Sequence, residues 1–241
     1  MQHTLAEVCT DTTKRLHLLR HGQAAHNPRA EAAREAGCSF DDFLRLMKED
    51  DAFDADLTDL GRQQARAAAA QHSGTADNIQ LVVSSPLSRA LDTAMLVLPE
   101  ATARGPFMAH DELRERSGWM LNAKRRRREE LIAKYPSCDF THLQTEDDEL
   151  WTEDELEPTV QTAERGYAFL RWLSERDERE IAVVAHGGLF SYLLNANPRV
   201  HAEGAAAKRF GNTELRSLEL SWSGSGDDRV FTLSSAAGAA E

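Results

Sequence analysis

Short apolar runs separated by longer Ala-rich or charged stretches set the pattern of this chain. The run Leu16-His17-Leu18-Leu19 predicts a strand over Arg15–Arg20, and similar runs predict strands over Ile79–Ser84, Phe107–Ala109 and Ile181–His186. Between these runs the signals turn helical. Residues Asn27–Asp56 are charged and Ala-rich and predict helix in part, with Glu49-Asp50-Asp51 in a solvated loop. Thr58 is an N-cap candidate for an Ala-rich helix through Gln71, and Asp77-Asn78 marks a turn after it. Ser85-Pro86 reads as a helix start, a capping hydroxyl and then proline at the first helical position, opening a helix over Pro86–Leu98. Further helices are predicted over Pro158–Arg176, with Tyr167, Leu170, Trp172 and Leu173 as core positions, and from Gly188 to about Asn195. Leu215–Trp222 and Val230–Leu233, joined through Ser223-Gly224-Ser225-Gly226, read as a terminal hairpin.

Strands alternating with helices imply βαβ units and therefore an α/β fold: a three-layer sandwich with a mostly parallel central sheet and helices on both faces. The expected organisation is a loose leader over 1–14, one domain over 15–233 and a disordered Ala/Gly tail over 234–241. The highly charged stretch 120–157 reads as a peripheral insertion, more surface than core. In sheets of this kind a ligand sits beyond the carboxyl ends of the strands, and His21, Ser84 and His186 all fall at those ends.

Composition narrows the function classes. The formal net charge of −12 over 241 residues argues against broad binding to nucleic acid or to an anionic membrane, which needs a positive face. No apolar run approaches the ~20 residues of a membrane span, and the first residues lack a cationic stretch followed by an apolar one. Three scattered cysteines, Cys9, Cys38 and Cys138, suit reduced thiols and a cytoplasmic setting. No P-loop, H-E-x-x-H or Cys/His spacing for zinc is present, so no metal or cofactor is expected. An anionic substrate would need a local pocket of Arg and His, which raises the value of each arginine near the two strand-end histidines.

His21 is the candidate nucleophile. A neutral imidazole can attack phosphorus and carry the phosphoryl group, splitting one hard displacement into two easier ones. Adjacent guanidinium groups disfavour the imidazolium, and Arg20 and Arg89 would clamp phosphoryl oxygens with planar forks of donors. His186 would add a donor, as would the backbone N–H groups of Gly187-Gly188 at a helix start. The leaving oxygen needs a proton from the far side, for which Glu115 and Glu112 are the candidates. Glu112 reads better as a solvated turn residue, and His17 and His26 as bystanders. The run Lys124-Arg125-Arg126-Arg127-Arg128 has two readings: a solvated helix face paired with Glu129 and Glu130, or a lid over the pocket that selects a second anionic group. A nuclear-localisation reading is weaker.

Several segments resemble motifs of the histidine phosphatase superfamily, the phosphoglycerate-mutase-like fold. Arg20-His21-Gly22-Gln23-Ala24-Ala25-His26-Asn27 is similar to its R-H-G-x-x-x-x-N signature, and Leu57-Thr58-Asp59-Leu60-Gly61-Arg62-Gln63-Gln64-Ala65 to its L-T-x-x-G-x-x-Q-A element. The stretch Ser84–Ala94 resembles S-S-P-x-x-R-A-x-x-T-A, Leu113-Arg114-Glu115 the segment carrying the acid, and Ala185-His186-Gly187-Gly188 the second-histidine motif. The resemblance implies a metal-free phosphoryl-transfer enzyme in which His21 is phosphorylated. It implies that Arg20, Arg89 and His186 bind phosphate, that Glu115 donates the proton, and that Asn27, Gly187 and Gln23 help form the substrate site. The tract after the acid and Asn212–Ser217 look most like a plant, algal and fungal branch. Mutases of the family usually carry Glu after R-H-G, where this chain has Gln23, which favours a phosphatase acting on a small phosphorylated metabolite. A phosphomutase and a silent phospho-ligand binding module are the alternatives. Oligomeric state and natural substrate are not set by the sequence.

Overall fold

A computed structural model describes residues 13–50, 52–202 and 204–235. In chain order these form β1 (Thr13–Arg20), α1 (Asn27–Glu35), α2 (Phe40–Lys48), α3 (Asp59–Gln71), α4 (Ser73–Ala76), β2 (Leu81–Ser84) and α5 (Ser88–Val97). There follow α6 (Pro99–Arg104), β3 (Phe107–His110), α7 (Arg128–Lys134), β4 (Asp139–His142), α8 (Thr159–Ser174) and β5 (Glu180–Ala185). The chain continues through α9 (Gly187–Ala196), β6 (Val200–Ala202), β7 (Leu215–Ser223) and β8 (Val230–Ser235). Most of the leader and tail expected from sequence lies outside the described residues. Thr13 and Lys14 belong to β1, however, and Ser234 and Ser235 to β8.

The strands join in one sheet of order β4-β3-β2-β5-β1-β7-β8-β6. Among its pairings only those of β7 with β1 and β8 are antiparallel, so seven strands share one direction. The central strands read as near-continuous apolar runs because helices cover both their faces. Leu16 and Leu18 of β1, Leu81 and Val83 of β2, and Ile181 and Val183 of β5 pack with Tyr167, Phe169 and Leu170 of α8 and Leu189 and Phe190 of α9. Leu19, Val82 and Val184 point the other way, into a layer built from Ala65 and Ala68 of α3 and Ala90, Leu91 and Ala94 of α5. Each fully buried Leu, Val or Ile contributes roughly 1.5–3 kcal/mol relative to exposure.

Three features bear on the site, the first two of them differences from the sequence reading. Helix α5 opens at Ser88 with Leu87 as its N-cap and no side-chain cap, three residues after Ser85. The Ser85 hydroxyl accepts from Leu87 N at 3.3 Å, but it also bonds His186, which holds Ser85 and Pro86 outside the helix. The stretch 120–157 is not peripheral. It supplies edge strand β4, and Leu131, Tyr135, Phe140 and Leu143 are buried in the second core layer. The segments between Asn27 and Lys48 form the separate pair α1 and α2, which packs through Ala30 and Met47 on Met120 and Ala123 as a third small cluster.

Candidate active site

Strands β1, β2 and β5 end side by side and deliver His21, Ser85 and His186 to one edge of the sheet. The turn after β1 is fixed by a backbone crossing. A Cβ on Gly61 would meet Gln23 O at 2.0 Å, and one on Gly22 would meet Gly61 O at 2.7 Å, so neither position has room for a side chain. Thr58 caps α3 by accepting from Gly61 N at 3.0 Å, and its own N–H donates to Gln23 O at 3.0 Å. Gln64 takes the Gln23 N–H at 2.9 Å. Thr93 of α5 accepts from Gly22 N at 3.1 Å while donating to Arg89 O at 2.6 Å, which ties the turn to the helix carrying Arg89.

The backbone of His21 is held from both sides: its N–H donates to Ala185 O at 3.0 Å, and its carbonyl accepts from Asn212 Nδ2 at 3.2 Å. The ring is buried, and Nδ1–H donates to Gly22 O at 2.7 Å. That bond places the proton on Nδ1 and leaves Nε2 as the acceptor, which receives Arg89 Nε–H at 3.3 Å. Burial, then the guanidinium groups of Arg89 and Arg20, hold the His21 pKa well below the ordinary imidazole value. Its ring centroid lies 5.0 Å from that of His186 and 6.2 Å from that of His26. Both of these imidazoles are also buried and pushed well below the ordinary value, by desolvation first and then by Arg89.

Donors converge on this cluster with part of their capacity unused. Arg20 gives Nη1–H to Phe210 O at 2.9 Å and Nη2–H to Glu31 at 2.7 Å, while its Nε has no partner. Arg89 gives Nη1–H to Asn122 O at 2.6 Å, while its Nη2 has none. Burial lowers the Arg89 pKa to about 10, opposed by Asp54 and Glu115, so the group stays cationic at neutral pH. His26 Nδ1, His186 Nδ1 and the Asn122 amide are also buried without partners. Asp54 lies beneath Arg89, accepting from Ser88 N at 2.9 Å and Ser88 Oγ at 2.6 Å, and burial raises its pKa to about 6. Facing the cluster, the Glu115 carboxylate accepts from Arg116 N at 3.0 Å, Gly188 N at 3.1 Å and Leu189 N at 3.0 Å. A Cβ on Gly188 would stand 2.3 Å from Glu115 Oε1, so that approach needs the glycine.

A cavity of about 440 Å³ opens above these groups, within the range of small-ligand sites. Arg20, His21, His26, Asn27, Glu115 and Asn122 line it, together with further residues of α1, α2 and α9. Buried charge, a neutral imidazole and a cleft suited to a metabolite are the geometry of a site for anion chemistry.

The sequence pattern of the histidine phosphatase superfamily (branch 1) matches residues 16–226. The chain belongs to the histidine phosphatase superfamily. Among its relatives is phosphoglycerate mutase-like protein 1 of Arabidopsis thaliana, 33% identical over 240 residues that cover 86% of this chain and 81% of that protein. Glucosyl-3-phosphoglycerate phosphatase of Mycolicibacterium vanbaalenii is 30% identical over 202 residues, covering 76% of this chain and 73% of that protein. Among solved structures, the mycobacterial glucosyl-3-phosphoglycerate phosphatase in complex with VO3 is 26% identical, with a TM-score of 0.53 over 91% of this chain and 97% of that one.

Within the superfamily fold the residues singled out by sequence do not all reach the cavity. Arg20, His21, Asn27, Glu115 and Gly187 line it, whereas Arg89 and His186 sit fully buried behind His21 and touch its ring or its neighbours. Gln23, expected in the substrate site, turns away and accepts from Thr58 Oγ1 at 2.8 Å, so it braces the turn and does not line the cavity. Glu112 is not a solvated turn residue. It is largely desolvated, which raises its pKa, and it lies off the cavity. The basic run is neither a simple solvated face nor a lid. Lys124 lies over the Trp151 ring at 4.2 Å, Arg126 pairs with Asp54 at 3.0 Å, and Arg128 pairs with Glu146 at 3.6 Å. None of the five lines the cavity.

His26, Asn122 and Asp54 are the contributors the sequence reading missed. His26 was expected to be a bystander, yet it lines the cavity and accepts from Asn27 Nδ2 at 3.1 Å. Its only sequence signal is its place inside the R-H-G-x-x-x-x-N segment. Asn122 and Asp54 come from irregular segments with no periodic signal. His17 does lie apart, between Ser217 at 2.8 Å and Glu180 at 2.9 Å. Among the described residues no group of three or more His, Cys, Asp or Glu is placed to hold a metal ion. No helix among them is long and apolar enough to cross a membrane.

Proposed function

We propose that the chain is a phosphomonoesterase that acts through a phosphohistidine on His21. One observation carries this reading: His21 Nε2 is an unprotonated nitrogen held among cationic and neutral donors with unused capacity. A buried donor left unpaired costs about 1–3 kcal/mol. A tetrahedral oxyanion brought to Nε2 would take up the Arg20 and Arg89 donors together, so those costs become binding and transition-state stabilisation. Nε2 attacks phosphorus, the bond from phosphorus to the leaving oxygen breaks, and Glu115, which lines the same cavity, supplies the proton that oxygen needs. Water then gives a proton to the Glu115 carboxylate as it attacks the phosphohistidine, the N–P bond breaks, phosphate departs, and His21 and Glu115 return to their starting forms. The similarity to a glucosyl-3-phosphoglycerate phosphatase supports hydrolysis.

The similarity to phosphoglycerate mutase-like proteins favours a second reading, return of the phosphoryl group to substrate instead of water. Wild type and His21→Ala, assayed on a panel of phosphate monoesters in excess chelator, separate the two when free phosphate and phosphate migration are both scored. Chelator-resistant release that vanishes in His21→Ala is expected, and an active His21→Ala sinks the mechanism. Migration without release makes the chain a mutase. In the same panel Glu115→Gln is expected to slow alkyl esters by about 10²-fold and aryl esters far less, because a phenolate needs little help from an acid.

A further inference from the structure

The lining of the cavity includes two arginines that the chemistry at His21 does not use. Arg34 extends from α1 and Arg209 from the segment before β7, and both line the cavity. Neither has a carboxylate within ion-pair distance among the described residues, in a chain with an excess of acids. Glu31, the nearest acid on α1 that lines the cavity, is already paired with Arg20. Arg20, Arg34 and Arg209 all line the cavity, and desolvation followed by like charge from Arg34 and Arg20 lowers the Arg209 pKa against the weaker opposing pull of Glu31 and Glu35. The same cavity has an apolar lining from α2: Phe40, Phe43, Leu44 and Met47. The Phe40 and Phe43 rings are stacked 6.3 Å apart, Arg34 lies 5.2 Å over the Phe43 ring, and Phe40 stays 53% exposed.

We propose that Arg34 and Arg209 form a second anion subsite, and that the substrate is a phosphomonoester whose apolar, flat body carries a second negative group. The selection for a second anion expected of Lys124–Arg128 falls instead to these two unpaired residues. Two anions on one ligand would neutralise the crowded guanidinium groups at both ends, and the body between them would cover the exposed aromatic wall. The assignment rests on the reading of the His21 end as the phosphoryl site. Body and second charge, more than the phosphate, would then discriminate among phosphate esters, since every such ester presents the same phosphate.

Benzylphosphonate and 4-carboxybenzylphosphonate, which cannot be hydrolysed, test this by calorimetry on the full chain. The carboxylated ligand is expected to bind about tenfold more tightly to wild type, a difference of ~1.4 kcal/mol. The ratio should shrink as salt is raised. In the double variant Arg34→Gln, Arg209→Gln it should fall to near one, and Arg34→Lys with Arg209→Lys should keep part of it because the charge remains. Both side chains are exposed, so these changes leave the core untouched. Equal affinities in wild type, a ratio unchanged in the Gln variant, or failure of both ligands to bind overturns the subsite. Binding does not require turnover. A chain that shows this selectivity yet releases no phosphate from any ester overturns the phosphatase reading alone. A chain that hydrolyses phenyl phosphate and 4-carboxyphenyl phosphate equally well overturns the subsite alone.

Discussion

Two sets of arginines occupy this molecule in opposite ways. Arg125–Arg128 are consecutive, and the fold answers each of them: Arg125 alone donates to the carbonyls of Arg126, Thr145, Glu146 and Asp147 at 2.8–3.0 Å. Arg20 and Arg89 come from distant motifs and meet around one imidazole with donors left over. The conspicuous run is structural. It fastens the loop between α7's start and the 145–148 turn. The scattered pair instead keeps Arg20 Nε and Arg89 Nη2 buried without a partner beside His21. A charge cluster in sequence therefore says less about function than charges that converge in space unpaired.

The comparison predicts a double dissociation. Arg89→Gln should lower kcat/KM on the order of 10³-fold, the scale of an arginine that neutralises a transferring phosphoryl group. Arg125→Gln should leave kcat/KM per folded molecule nearly unchanged but cost about 3 kcal/mol of stability, since several buried carbonyls lose their donor. Urea unfolding and steady-state rates on both variants check this. Exchange of the two outcomes would break the contrast. A third test concerns proton uptake. His21, His26 and His186 are held well below the ordinary imidazole value, and His110 is lowered to about 4. Below pH ~6.5 the unfolded chain binds protons on these rings that the folded chain refuses, so stability should fall as pH falls from about 7 to 5.5. Asp54 opposes this: raised to about 6, its extra stability is present at low pH and lost as pH rises through 6. Burial also raises Asp92, Asp111 and Glu112, but His17 and His72 are lowered along with the four rings named above, and the larger number of imidazoles leaves the net slope with the histidines. Flat stability over that range, measured by denaturant titration, would mean the rings are not held neutral. The smallest effect is expected at Arg127, half-exposed among Glu129, Glu146 and Asp147, where Arg127→Ala should change stability by less than about 0.5 kcal/mol.

Where one local signal decided the structure, the sequence was legible. The apolar runs of β1, β2 and β5 are strands, although Ile79 and Gln80 precede β2, and Thr58 caps α3. Helix α8 carries its stripe and β7 pairs with β8 as a hairpin. Strand β4 and strand β6 were not legible, because each is short and lies at a sheet edge with one residue, Phe140 or Val200, fully buried. Ser85 misled for a different reason. A serine before proline is a good cap locally, but His186, from a strand a hundred residues later, holds its hydroxyl at 2.8 Å. Site residues inside motifs, such as His21 and Glu115, could be named in advance. Gln23 shared a motif and still turned away, because motif membership gives position along the chain and not the direction of a side chain. Asn122 and Asp54 reach the site only through tertiary packing.

The crossing of Gly22 and Gly61 has a consequence for how such a site can be remodelled. Around it Thr58 N meets Gln23 O at 3.0 Å, Ala25 N meets Asp56 O at 2.9 Å, and Ala24 bridges Leu57. The chain between Asn27 and Asp54, which carries α1, α2 and the apolar wall, is thus cinched at its neck like a drawstring bag. Because the neck is already closed, lengthening the bag adds only the slowly growing entropy of a longer loop so long as the Ala30–Met47 packing and the Glu31–Arg20 pair are kept, and His21 stays where β1 and the crossing put it. Under the proposed function, the part that would handle the ester body is in this sense a replaceable cartridge on a fixed socket around His21. Grafting another superfamily member's segment between these two anchor points is the natural way to exchange one preference for another.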